Sequence, residues 1–275
     1  MLRKRSGSAL CYACGKLNRV DAPVCFYCGG RNPGLWGFGP WLGRLTGRLD
    51  FARIVTVVCV AAYAAAILVD PAAALRPRGL FDLLSPSGAA LLALGMTGAY
   101  PWQLGHWWTL LTAAYLHGSL LHIAFNLLWI HQLAPAVEQA YGRSRLVLIF
   151  TGGGVLGFVL SNWAGVGTTI GASGAVFGLL GAMAVYGRSR GGLFGMAVFR
   201  QYWQWAVILF IMGFLMPGVN NFAHAGGFVG GSLAALALGH GDGRVERRAH
   251  ALAATAVVAL TALAFTLAIW TALWA

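Results

Sequence analysis

From residue 52 onward the chain is dominated by long apolar stretches, separated by short runs of arginine, glycine and proline. Seven windows carry no charged side chain apart from Arg53 at the mouth of the first. They lie at about 52–69, 117–137, 146–163, 171–187, 202–217, 222–239 and 250–274. Each approaches the ~17–25 residues that a helix needs to cross a bilayer, the fifth being the shortest. The pattern predicts an all-α polytopic membrane protein with seven spans. Between the first two spans, residues 70–116 include "LFDLLSPSGAALLALGMTGAYPWQLGHWWTLLTAAYL", too apolar for a solvated loop. Broken by Pro71, Pro77, Pro86 and Pro101, this segment is expected to fold back onto the membrane surface as short helices.

The first 34 residues have a different texture, polar and cysteine-bearing, and they are read as a separate module. A Gly/Trp/Pro-rich linker, 35–51, joins them to a six-span core at 52–240. Residues 241–275 supply a short basic link and the seventh span. In the linker, Trp36, Phe38 and Trp41 alternate with Arg44 and Arg48, a composition that suits the bilayer interface and equally a plain flexible tether.

Composition agrees with the pattern. The chain is 59% hydrophobic and only 9% charged, where a soluble domain carries about 25%. The net charge of +12 invites a nucleic-acid reading, but the positions of the basic residues argue against one. With the N-terminus in the cytoplasm, seventeen Lys and Arg fall on the cytoplasmic side and only Arg76 and Arg78 outside. That bias fits a multi-pass protein of the cell membrane with an external C-terminus. The first ~50 residues do not read as a cleavable signal peptide, so the first span is expected to be retained.

Only seven carboxylates are present (Asp21, Asp50, Asp70, Asp82, Glu138, Asp242 and Glu246), none of them in the middle of a span. This removes proton-coupled transport through a buried acid, and aspartyl or zinc-Glu proteolysis. Serine, histidine and asparagine remain as polar groups inside the bilayer, where they are costly and default to functional candidates. Ser173, in "GASG", opens the fourth span, near a helix N-terminus that would stabilise an oxyanion. A small serine at a helix–helix contact is the plainer alternative. His224, in "NNFAHAGGFVGG", opens the sixth span at matching depth. Small-residue pairs at Gly167/Gly171 and Gly174/Gly178 in one span and Gly226/Gly230 and Gly227/Gly231 in the other would let the two backbones approach. The imidazole could then take the hydroxyl proton and later deliver it to a leaving amine. With no acid nearby, the pair would act as a dyad. A hydrogen-bonded core histidine is the alternative. His122 and Asn126 share one helix face in "HIAFN" and could aim donors at an oxyanion, or serve as packing glue.

"GASG", "AHAGG" two spans later and "HIAFN" two spans earlier together resemble the rhomboid intramembrane serine proteases, as does "HWWTLLTAAYLHGSLLHIAFNLLW". The resemblance covers residues 50–240 and implies a six-helix core cutting transmembrane substrates near the outer face of the bilayer, with no catalytic cofactor. It implies Ser173 as nucleophile, His224 as base, and His122, Asn126 and the Ser173 amide as oxyanion hole. Gly171, Gly174, Phe177 and Gly227 would shape the site. Two positions depart from the family pattern: Thr109 stands where an arginine often follows tryptophan, and Phe177 where a tyrosine often lies under the histidine. An inactive rhomboid-like scaffold that binds transmembrane helices is the runner-up, and a membrane-anchored zinc sensor a third reading.

Cys11, Cys14, Cys25 and Cys28 form CxxC-x10-CxxC, with a glycine after each pair. Four thiolates at this spacing suit a tetrahedral structural zinc in a small cytoplasmic ribbon. Disulfides and a metal-free remnant are the alternatives. Cys59, inside the first span, reads as core.

Overall fold

The computed structural model describes residues 3–12, 16–27, 29–40, 50–76, 79–240 and 247–274. The chain divides into two compact units, Met1–Asp50 and Phe51–Ala275. In the first, β1 (Ser8–Leu10) and β2 (Leu17–Arg19) pair antiparallel, with Ala9 opposite Asn18.

Among its described residues the second unit holds seven long helices: α1 (Phe51–Val69), α2 (Leu120–Tyr141), α3 (Arg143–Trp163), α4 (Ser173–Arg190), α5 (Gly192–Leu215), α6 (Asn221–Leu238) and α7 (Arg248–Trp274). Five of them, α1, α2, α3, α5 and α7, are long and apolar enough to cross a membrane. Leu128, Ile211, Phe214, Leu252 and Trp270 are among the large apolar side chains on their exposed faces, an arrangement stable only in a hydrocarbon surround. The protein is a multi-pass membrane protein. The other two helices, α4 and α6, are glycine-rich and pack against each other and against α3; α4 is largely buried, while α6 keeps an exposed apolar face at Phe222, Val229, Leu233 and Leu236.

Their approach has a specific cause. A Cβ on Gly231 would overlap the backbone of Gly178, and one on Gly227 the backbone of Gly174. Gly226 and Gly230 press in the same way on Leu156 and Gly152 of α3. Hydrogen on Cα is the only side group these contacts admit, and close packing of this kind holds helices together where burial from water cannot. One expected pair is corrected. α4 begins at Ser173, so Gly167 and Gly171 lie in the preceding loop, where Gly167 has open space and Gly171 takes φ +112°.

Other boundaries also move. α2 runs to Tyr141, past Glu138, because the chain turns only at Gly142 (φ +90°). α5 starts at Gly192, ten residues before the apolar window at 202, where two successive glycines, Gly191 and Gly192, take the left-handed conformation (φ +62° each). Arg200 therefore lies inside a helix, and charge alone did not mark its end.

The 70–116 segment does form short helices, including Gly88–Ala93, Ala99–Gln103 and Thr109–Thr112. It also splints the loop that leads into α4. Ala99 N donates to Val166 O (2.8 Å), Thr169 N to Thr97 O (2.7 Å) and Gly171 N to Ala113 O (2.9 Å). Thr109 is buried here, donating to His106 O (2.6 Å) with its Oγ1 3.0 Å from Thr97 Oγ1. α7 closes against α3 and this segment. Its Ala254, Ala264 and Ala268 face inward, and Phe265 meets Tyr115 at 6.0 Å between ring centroids.

The glycine contacts make a stability prediction. Gly231→Ala should lower the stability of the detergent-solubilised protein by about 1–3 kcal/mol, the cost of overpacking a tight interior. Gly152→Ala, whose new methyl would sit at an ordinary 3.8 Å from Ala234, should shift it by less than ~0.5 kcal/mol. Thermal unfolding of the two variants side by side checks this.

Candidate active site

Ser173 is the first residue of α4, and His224 stands one turn into α6. Because the two helices touch backbone to backbone, the side chains meet, with His224 Nε2 3.0 Å from Ser173 Oγ. The Phe177 ring stacks on the imidazole at 4.4 Å between centroids and 15° between planes, one helical turn beyond Ser173. A phenyl ring is sufficient for that contact. On the other edge of the imidazole, Nδ1 lies 3.1 Å from Asn221 Oδ1.

The N-cap of α4, Ala172, offers no side-chain acceptor, so the leading N–H groups of the helix depend on water or a ligand. Across from them stands His122, whose helix α2 is capped by Ser119 Oγ accepting from His122 N (3.2 Å). Gly118 N donates to His122 Nδ1 at 3.3 Å. In the neutral ring that bond places the proton on Nε2, turning Nε2–H into a donor. A Cβ on Gly171 would come within 2.6 Å of that Nε2, so only glycine leaves the donor uncovered. Asn126 is buried one turn along α2 and donates through Nδ2 to His122 O (2.9 Å), which leaves its second amide hydrogen to spare. Gly174 and Gly227 belong to the helix contact below the site.

These residues share one cavity of about 1390 Å³, lined by His122, Asn126, Ser173, Phe177 and His224. Ordinary small-molecule sites measure about 300–1,000 Å³. The cavity also runs between α2 and α5, past Phe125, Leu128, Trp129, Leu209, Met212 and Phe214. A mostly apolar guest larger than an ordinary small molecule fits that volume and lining. The segment 216–220, "MPGVN", forms part of its wall.

Asn220 and Asn221 were missed as candidates. Asn220 caps α6 (Oδ1 accepting from Ala223 N, 3.2 Å) and donates to Ser161 Oγ (2.6 Å) and Thr169 Oγ1 (3.1 Å). It ties the start of α6 to α3 and to the loop before Ser173. The legible signal was two consecutive asparagines at a helix start, three and four residues before a histidine.

In the N-terminal unit, Cys11 and Cys25 are each 2% exposed. Cys11 N donates to Lys16 O (2.9 Å) and Cys25 N to Gly30 O (2.7 Å), so both CxxCG loops close with the same i to i+5 bond. Asn18 Nδ2 approaches Cys25 Sγ at 3.2 Å. Cys14 and Cys28 lie outside the described residues, and among those described no group of three or more His, Cys, Asp or Glu is placed to hold a metal ion.

Sequence comparison adds to this geometry. The Rhomboid domain matches residues 104–241. Over 165 residues the chain is 37% identical to "Rhomboid protease GluP" of Bacillus subtilis (strain 168), covering 58% of this chain and 32% of that protein. "Putative rhomboid protease YdcA" of the same organism is 32% identical over 138 residues, covering 47% of this chain and 66% of its own length. "Rhomboid-type serine protease 2" of Emericella nidulans is 36% identical over 142 residues, 48% of this chain and 26% of the fungal protein. The chain thus spans between a quarter and two thirds of the length of these relatives. Its matched segment takes in Ser173, His224, His122 and Asn126, and the chain belongs to the rhomboid family.

Proposed function

We propose that the protein is an intramembrane serine endopeptidase that cleaves transmembrane helices of other membrane proteins near the outer face of the cell membrane. The observation that carries the reading is the 3.0 Å contact between Ser173 Oγ and His224 Nε2 in a cavity that also runs past apolar residues of α2 and α5. Ser173 and His224 work as nucleophile and general base. Ser173 Oγ attacks the scissile carbonyl while His224 Nε2 takes its proton. The negative charge collects on the carbonyl oxygen, facing His122 Nε2–H, the spare Asn126 amide hydrogen and the Ser173 N–H. The tetrahedral adduct collapses, His224 hands the proton to the leaving amine, and an acyl-enzyme remains. Water, deprotonated by the same imidazole, hydrolyses it.

In this reading the N-terminus is cytoplasmic and the C-terminus external, with Ser173 at the outer end of the bundle. α5 and the "MPGVNN" loop are the elements that move to admit substrate. The relatives named as proteases support the assignment.

Cleavage of a single-span reporter in proteoliposomes tests it. Wild type should cut, and Ser173→Ala and His224→Ala should fall to background. Full cleavage by either variant would refute the dyad. No cleavage by wild type, with Ser173 also unlabelled by a serine-directed fluorophosphonate, would favour a non-catalytic scaffold that binds helices. His122→Ala and Asn126→Ala should each reduce kcat by about 10- to 10³-fold, the scale of one oxyanion donor. Unchanged kcat in both would remove them from the oxyanion hole.

A structural zinc in the N-terminal unit is part of the same proposal. It is supported by two buried cysteines in loops of identical closure, Asn18 Nδ2 set to donate to the Cys25 sulfur, and the CxxC-x10-CxxC spacing. Cys11, Cys14, Cys25 and Cys28 would hold the ion, which would stabilise the small fold and take no part in hydrolysis. Metal analysis of the purified protein should find about one zinc per chain, lost in Cys11→Ser with Cys25→Ser. Full fluorophosphonate labelling of Ser173 should persist in that double variant.

A further inference from the structure

The reaction just described leaves Asn221 without a task. It is the first residue of α6, one turn before His224, and its Oδ1 lies 3.1 Å from His224 Nδ1. Capping does not explain it, because Asn220 already caps α6 by accepting from Ala223 N (3.2 Å). α5 makes room for the amide. A Cβ on Gly213 would overlap Asn221 Oδ1 and stand 3.1 Å from its Cγ. The carboxamide therefore lies between bare α5 backbone and the imidazole. An imidazole that accepts a proton at Nε2 must already carry one on Nδ1, and a buried N–H needs an acceptor.

We infer that Asn221 is a positioning residue for the histidine of the Ser173–His224 dyad, seated by Gly213 of α5; the inference rests on the protease reading above. Asn221 Oδ1 accepts the Nδ1–H, fixing the tautomer in which the Nε2 lone pair faces Ser173. Phe177 holds the face of the ring, and Asn221 stops rotation in its plane. A carboxamide does this without a formal charge, which a bilayer site would penalise. Because the amide rests on α5, displacement of that helix loosens the histidine as well.

The test is kcat and KM for a single-span reporter across pH, with full-length wild type, Asn221→Ala, Asn221→Asp, Gly213→Ala and Ser173→Ala in proteoliposomes. Asn221→Ala should lower kcat by about 10- to 10³-fold with KM within twofold, below the ~10⁴-fold loss of a triad histidine held in the wrong tautomer. Gly213→Ala should resemble it. Asn221→Asp keeps an acceptor and should recover most of kcat. Its carboxylate favours the imidazolium, so a higher pH is needed to free the base, and the acidic limb of the kcat profile should move upward. The titratable groups that share the cavity with His224 among the described residues are His122 on α2 and Asp82 of the 70–116 segment, and none of the substitutions touches them. A kcat for Asn221→Ala within twofold of wild type would overturn the inference alone. So would an acidic limb in Asn221→Asp that coincides with wild type, the deciding result if Asn221→Ala does not fold. Cleavage by Ser173→Ala equal to wild type would instead overturn the protease reading, and this inference with it.

Discussion

The contact of α4 with α6, glycine against glycine, is the constraint on which the rest of the bundle depends. Ser173 and His224 are 51 residues apart and come within 3.0 Å only because nothing larger than hydrogen separates the two backbones beneath them. In water such a contact would be a poor source of stability, since glycine buries little and loses much conformational freedom. Inside hydrocarbon the balance changes. Apolar side chains gain nothing by leaving lipid for protein, so dense packing and polar pairing decide which faces meet.

Around that contact, the polar groups arrange themselves by the same rule. Buried hydrogen-bonding groups need partners, and here the partners come from distant parts of the chain. Thr97, in the segment before α2, receives the loop before α4, while Asn220, at the start of α6, reaches both α3 and that same loop. The serine is thus held from the front by a splint of short helices and from behind by the head of the helix that carries its partner. Thr109, at a position where the resemblance implies an arginine, works inside this splint through neutral hydroxyl bonds.

Much of this was legible in the sequence, and the reasons are physical. Uncharged windows located the long helices because a bilayer excludes charge. "GASG", "HIAFN" and "AHAGG" stood out because polar groups amid apolar runs are expensive, and their side chains share one cavity. The failures share a cause too. The early start of α5 was hidden because a helix continues through Arg200 until backbone conformation stops it, and the stop lies at Gly191 and Gly192. The role of the 70–116 segment was hidden because its bonds to 166–171 are between backbones, which leave no trace in side-chain pattern. The contact of Asn221 with His224 was less legible, because a neutral carboxamide at a helix start reads first as a cap.

The two helices that carry Ser173 and His224, α4 and α6, are also the long helices outside the five that, among the described residues, are long and apolar enough to cross a membrane. Glycine, serine, histidine and asparagine lower their hydropathy. In order of synthesis α3 precedes α4, and both precede α6, so each of these glycine-rich helices follows the neighbours it packs against. A chain made only as far as α4 holds Ser173 without His224. Their contact cannot form until the sixth helix has joined α3 and α4.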